Sequence, residues 1–224
     1  MSTDSALANR AAYDSWAQTY PALPHNPLMR AEQQALLELW PDVAGARALD
    51  LACGSGRYAQ LLRERSAASV VAADYSPAML AQAQVEYRVR ADMMSLPFAD
   101  AQFDVVVCGL AVGHAPRLAD WMCEAARVLA PGGTLLYSDF HPEAAHAGMT
   151  RSFTDAQQRK HVLQHRIHEL AEHAAAAAAA GLAIEALQEL RVGRELCEVF
   201  TGSDDFYRRW QGLALVLVVR ACKS

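Results

Sequence analysis

The residues best suited to chemistry are three aspartates, each borne on a short apolar run, and a set of histidines downstream of them. Asp50 stands in Ala48-Leu49-Asp50-Leu51, just ahead of the turn Ala52-Cys53-Gly54-Ser55-Gly56. Asp74 ends Ser69-Val70-Val71-Ala72-Ala73-Asp74, and Asp92 follows Tyr87-Arg88-Val89-Arg90-Ala91. Glycines at 54 and 56 permit the positive φ and close backbone approach that a nucleotide-like ligand needs. Asp74 falls near the spacing, about twenty residues past the turn, at which an acid accepts ribose hydroxyls. The run Gly54-x-Gly56-x-x-Ala59 also fits the dinucleotide fingerprint, a weak signal by itself. Asp50 separates the two readings: a carboxylate at the mouth of the loop repels a pyrophosphate and attracts a cation.

S-adenosylmethionine (SAM) carries an ammonium and a sulfonium and no phosphate, so it suits that acidic entrance. Asp92 can accept the adenine amino group, while Met93 offers a backbone N–H and an apolar side chain to the ring. Five segments in register resemble the class I SAM-dependent methyltransferases, small-molecule enzymes among them, over roughly residues 45 to 141. They are Leu49 to Gly56, Ala73 to Leu80, Ala91 to Phe98, Phe103 to Cys108 and Arg127 to Leu136. The chain departs at Ala52, where many relatives have glycine. The resemblance implies SAM as cofactor and S-adenosylhomocysteine as product, with Ala52, Tyr75, Met79 and Leu110 joining the aspartates and glycines around it. It also implies an N-terminal segment closing over the cofactor, where Tyr20 meets the methionine carboxylate.

Composition narrows the class. At 224 residues, with 53% hydrophobic and 20% charged residues, the chain suits one globular domain. A net charge of −5 argues against wrapping nucleic acid, which needs basic residues to neutralise phosphates. Five cysteines without a Cys-x-x-Cys pair read as thiols in a reducing compartment. Residues 1–10 lack the apolar core of a signal peptide, and Leu213 to Val219 is too short to span a bilayer, so a cytoplasmic protein is expected.

Periodicity supplies the elements. Tyr13, Trp16 and Tyr20 share one helical face, prolines at 21, 24 and 27 interrupt it, and Leu28 to Trp40 resumes a helix. This helical cap covers residues 1–44, the SAM-binding core 45–141, a substrate-side insertion and C-terminal elements 142–212, and the last strand 213–224. Strands are expected near 46–52, 69–74, 88–92, 103–109 and 133–140. Continuous runs such as Val105-Val106-Val107 predict a sheet covered on both faces, hence a doubly wound α/β, Rossmann-like fold. A helix from Glu169 to Ala180 ending at Gly181, and strands near Leu182 to Leu190 and Leu213 to Arg220, complete it. The resemblance implies seven strands in the order 3-2-1-4-5-7-6, the last antiparallel. Residues 142–168 fit a hairpin over the active site or a helix, and Phe206, Tyr207 and Trp210 can form a second wall.

Methyl transfer needs alignment above all, worth roughly 7–11 kcal/mol, and a general base adds about 10²–10⁴-fold. His114, in the loop after the fourth strand, and His141, after the fifth, are the candidate bases; backbone-bonded packing or loop roles are the alternatives. Tyr13 and Phe140 can line a flat acceptor, and His168 can reach it from above. His161, His165 and His168 would share a face on a helix, but no partnering acid or cysteine set accompanies them, so no metal is expected. The expected acceptor is a small aromatic or heteroaromatic metabolite, methylated on oxygen or nitrogen, without nucleic-acid or membrane partners. Methylation of a quinone-precursor carbon or a carrier-protein thioester is the alternative. An NAD(P)-dependent oxidoreductase and a non-catalytic SAM-binding protein are remoter ones, and the oligomeric state stays open.

Overall fold

A computed structural model of the chain describes residues 3–21, 23–200 and 204–224, with side chains from Asn9 onward. In chain order, α1 (Thr3–Trp16) and α2 (Pro27–Glu38) form the cap; Asn26 starts α2 by accepting from the Met29 N–H at 3.0 Å, with Pro27 in the first turn. The core then alternates β1 (Arg47–Leu51), α3 (Arg57–Glu64), β2 (Ser69–Asp74), α4 (Pro77–Leu80), β3 (Tyr87–Arg90) and β4 (Phe103–Cys108). A 3₁₀ turn (Val112–His114), α5 (Leu118–Val128) and β5 (Leu129–Phe140) follow. The last part holds α6 (Pro142–His146), the hairpin strands β6 (Ser152–Thr154) and β7 (Lys160–Val162), α7 (Leu170–Ala179), β8 (Leu182–Arg191), α8 (Arg194–Cys197), α9 (Asp204–Trp210) and β9 (Ala214–Lys223).

Among the described residues, seven strands pair in the order β3-β2-β1-β4-β5-β9-β8, and β9 runs antiparallel to both its neighbours. Counted within the sheet alone, this is the expected 3-2-1-4-5-7-6. Residues 142–168 open with the short helix α6 and then form the expected hairpin: β6 and β7 pair antiparallel, with Phe153 opposite His161. The expected strand at 88–92 ends two residues early, which leaves Asp92 in the loop beyond β3. The alanine run is helical: Glu169 and Glu172 form a reciprocal capping box, and Gly181 stops the helix at φ +70°.

Both sheet faces are covered. Leu49, Leu51, Val106, Leu217 and Val219 point to one core with Trp121 and Met122 of α5 and Ala176 of α7. Ala48, Val105, Val107, Leu215 and Val218 point to the other, with Ala35 and Leu36 of α2 and Leu62 of α3. The strand order reverses between β1 and β4, so their carboxyl ends diverge and open the crevice where such sheets take ligands. No described helix is long and apolar enough to cross a membrane.

Candidate active site

That crevice is a cavity of about 620 Å³. Its floor is the loops after β1, β2 and β3 with residues 109–111 after β4, while His114, farther along that loop, meets the roof through Tyr13 and Asn9. Its roof is α1 with the β6–β7 hairpin, joined where Trp16 stacks on Phe153 at 4.4 Å with the planes 6° apart. Both central strands end in a left-handed residue facing the cavity, Ala52 at φ 55° and Leu110 at φ 53°. Ala52 therefore occupies a backbone conformation that glycine adopts without strain. Gly56 has a steric need as well: at φ +82°, an added Cβ would lie 2.8 Å from that of Ala83.

Asp74 holds the floor together. One carboxylate oxygen accepts from the Gly54 N–H and the other from the Ser76 N–H, each at 2.8 Å. Burial pushes its pKa up, and those backbone donors pull it back. Asp92 accepts from the Met94 N–H at 2.9 Å and stays exposed beside Met93. Asp74, Tyr75, Met79, Asp92, Met93, Ala52, Gly54, Leu110 and Tyr20 all line the cavity. Burial lifts the Tyr20 phenol to about 12, against the opposing charge of Arg57.

Asp50 is placed differently from the expectation of an acidic entrance. It is 1% exposed and lies under the glycine turn, not on the cavity wall, where it accepts from the Ala59 N–H in the first turn of α3 at 2.7 Å. Burial raises its pKa to about 7, so at neutrality it carries only part of a charge. Its role there is to hold the turn against the helix. Gly56 also lies behind the wall, shaping the turn.

Two polar clusters escaped the sequence reading. In the first, Glu32 of α2 is fully buried and accepts from Arg57 at 2.7 Å and from the Ser138 hydroxyl at 2.9 Å; Ser138 in turn accepts from the Leu110 N–H at 2.8 Å. An acid in line with Met29 and Leu36 on the buried helix face was the available signal. Gly109 makes room for it, since a Cβ there would meet Glu32 at 2.8 Å. The second cluster gathers Asn9, Tyr13, His114 and Arg151, brought together only by the roof.

His114 stands on the cavity wall with both ring nitrogens engaged. Nε2 lies 3.0 Å from the Tyr13 hydroxyl, and Nδ1 lies 3.1 Å from the Asn9 amide nitrogen. The Asn9 carbonyl oxygen accepts from the Gln164 N–H, which fixes the amide: its nitrogen donates to Gln164 O and to His114 Nδ1. We assign Nδ1 as the acceptor, because a hydrogen on it would face the Asn9 N–H, and Nε2–H as the donor to Tyr13; Gln164 O, 3.2 Å from Nδ1, is the contact that favours the other tautomer. Burial, then the charge of Arg151, lowers the His114 pKa to about 3. It is neutral at physiological pH, with no free lone pair turned to the cavity.

His141 does not reach the cavity. It is 4% exposed, starts α6 by accepting from the Glu143 N–H at 3.0 Å, and places Nε2 2.8 Å from Glu189. Phe140 packs edge-on to His165 behind the sheet end, and His168 is buried against His173. None of the three lines the cavity. Phe206 does line it, whereas Tyr207 and Trp210 pack on the core below; residues 201–203 of that expected wall lie outside the described residues. His161 pairs with Asp155 at 2.8 Å, away from His165 and His168. Among the described residues no three potential ligands gather to hold a metal.

The profile of a family described as a methyltransferase domain matches residues 49–137. Over that stretch the chain resembles SAM-dependent methyltransferases. A malonyl-[acyl-carrier protein] O-methyltransferase of Enterobacter lignolyticus is 38% identical over 118 residues, covering 51% of this chain and 47% of that protein. A demethylmenaquinone methyltransferase of Thermus thermophilus is 38% identical over 47% of this chain and 52% of its own length. The chain thus spans about half the length of the curated relatives it matches. In fold, it resembles a methyltransferase solved in complex with its Trm112 activator from Haloferax volcanii (TM-score 0.73, 22% identity, 94% and 96% of the two chains). A SAM-dependent methyltransferase from Mesorhizobium loti is similar (TM-score 0.69, 24% identity, 86% and 98%).

The acids Asp74 and Asp92 line the floor of the cavity, and Arg57 and Tyr20 line the cavity with them.

Proposed function

We propose that the chain transfers a methyl group from SAM to an oxygen or nitrogen of a small, aromatic or heteroaromatic acceptor. The observation that carries this is a single cavity whose acidic floor lies across from an aromatic and polar roof of Tyr13, Trp16, Tyr20 and His114. SAM supplies a methyl carbon already activated by its sulfonium. The residues of the chain then hold and orient: Asp74 and Asp92 fix the nucleoside, Arg57 and Tyr20 take the methionine carboxylate, and the roof excludes water and aligns the acceptor. His114 serves by fixing Tyr13; its low basicity and engaged nitrogens fit a positioning role better than that of a general base. His141, Asp50, Phe140 and His168 support these groups from behind.

The names of the relatives favour a second reading, an acceptor on a carrier protein or a quinone-precursor carbon. Two measurements test the main one. S-adenosylhomocysteine should raise the melting temperature, and NAD should leave it unchanged. Labelled SAM incubated with extracts of small metabolites should mark a low-molecular-weight product, identified by mass spectrometry; label found only on protein would favour the carrier reading.

A further inference from the structure

Three guanidiniums line the cavity, and two are neutralised. Arg57 pairs with Glu32 at 2.7 Å and Arg10 with Asp14 at 3.7 Å. Arg151, at the foot of the hairpin, makes no ion pair among the described residues. One of its nitrogens donates to Leu110 O at 2.8 Å, which anchors the group over the end of β4. Asp139 feels its charge, yet the two make no ion pair. The guanidinium also lies against the Tyr13 hydroxyl and opposes the burial that raises that phenol's pKa.

The hydrogen-bond accounting of this corner has a definite sign. With the tautomer assigned above, the Tyr13 oxygen receives His114 Nε2–H, and its own hydrogen is free for a ligand. Arg151 has only donors. The corner therefore offers hydrogen-bond donors and a positive charge, and no acceptor or base. A neutral phenol or amine would meet no group there to take its proton. An ionised carboxylate needs none: it is already a nucleophile, and its charge balances Arg151.

Resting on the methyltransferase reading above, we propose that the acceptor is a small carboxylic acid, bound as its anion by Arg151 and Tyr13, and that the product is its methyl ester. One carboxylate oxygen stays against Arg151 and Tyr13 while a lone pair of the other forms the new O–CH₃ bond. The C–S bond of the methylsulfonium donor breaks, and its electron pair remains on sulfur as a thioether. The charges of anion and sulfonium cancel, so no proton is released and none has to be removed.

The test uses the full chain, methyl-labelled SAM and a panel of benzoic, phenylacetic, indole-3-acetic and straight-chain C4–C12 acids, each beside its phenol or amine counterpart. Esters are recognised by the volatile methanol they release in alkali. Calorimetry measures SAM binding, and acid binding to the S-adenosylhomocysteine complex. Expected are alkali-labile products from at least one acid, and acid binding that Arg151→Gln weakens by about thirtyfold, the order of a charge-assisted hydrogen bond, with SAM affinity kept within twofold. Arg151→Lys, which retains the charge, should recover part of the loss, and melting curves check that both variants fold. Alkali-stable products from phenols or amines, or no acid accepted while SAM binds normally, would overturn the proposal and leave the methyltransferase reading intact. Loss of SAM affinity in Arg151→Gln would also overturn it, by assigning the guanidinium to the methionine carboxylate. If neither SAM nor S-adenosylhomocysteine binds the wild type, the underlying reading falls instead.

Discussion

The two ends of the cavity are built from opposite chemistry. At the floor, Asp74 and Asp92 are held by backbone N–H groups from the loops that follow their strands, so the acids and the chain around them are one local unit. At the roof, Asn9, Tyr13, His114 and Arg151 come from three segments distant in sequence, and the charge is positive. The floor is a fixed part of the sheet; the roof exists only while α1 and the hairpin meet. A binding site divided this way can keep one ligand constant while the other is set by a few peripheral residues.

The largest test of that division is Asp74→Ala. Removing an acceptor shared by the Gly54 and Ser76 N–H groups should weaken SAM about a hundredfold by calorimetry, since each charge-assisted bond is worth roughly 1.5–3 kcal/mol. Unchanged affinity would detach the ribose from that acid. Tyr13→Phe should act on the other end alone: about a tenfold rise in acceptor KM, with SAM affinity within twofold. If SAM weakens in parallel, the two ends are not separable.

His114 provides a sharper, smaller test. Its folded pKa of about 3 lies below the usual 6.5, so the ring is neutral throughout pH 5.5–8 and should contribute no inflection to kcat/KM. An inflection near 6.5 that His114→Gln abolishes would restore it as a base. The smallest effect is expected from Asp50→Asn, because the amide oxygen can still accept from Ala59 N–H and the carboxylate does not touch the cavity; SAM affinity should change less than threefold. Stability supplies the sign. The folded pKa of about 7 exceeds the unfolded 3.8, so ionisation costs the native wild type progressively as pH rises from 4 to 7. The variant should therefore gain in melting temperature relative to wild type across that window, with a pH-independent difference below it.

The floor was legible in the sequence because each of its parts is a neighbour in the chain. A strand, a glycine turn and a helix occupy the twelve residues from Ala48 to Ala59, and the acids mark strand ends. Asp50 shows the limit of that logic: spacing located it at the turn, but whether its carboxylate faces outward or beneath depends on the pleat of β1, where Leu49 and Leu51 take the opposite face. The roof was legible in its parts and not in its assembly. Tyr13 and His114 were both marked as candidates, yet their contact depends on a hydrogen-bonded junction between Asn9 and Gln164, 155 positions apart. Arg151 carried no motif at all, and only the hairpin's return over β4 gives it a place.

The position of β9 bears on how the molecule is made. Of the seven strands, the one synthesised last, Ala214–Lys223, does not close an edge but enters between β5 and β8, and among the described residues β8 pairs with no other strand. Until that segment leaves the ribosome, β8 cannot join the sheet and Leu217 and Val219 cannot fill the core beside Trp121. A nascent chain halted before Ala214 would thus expose apolar strand surface from β5 outward, which makes this stretch the point of greatest need for a chaperone.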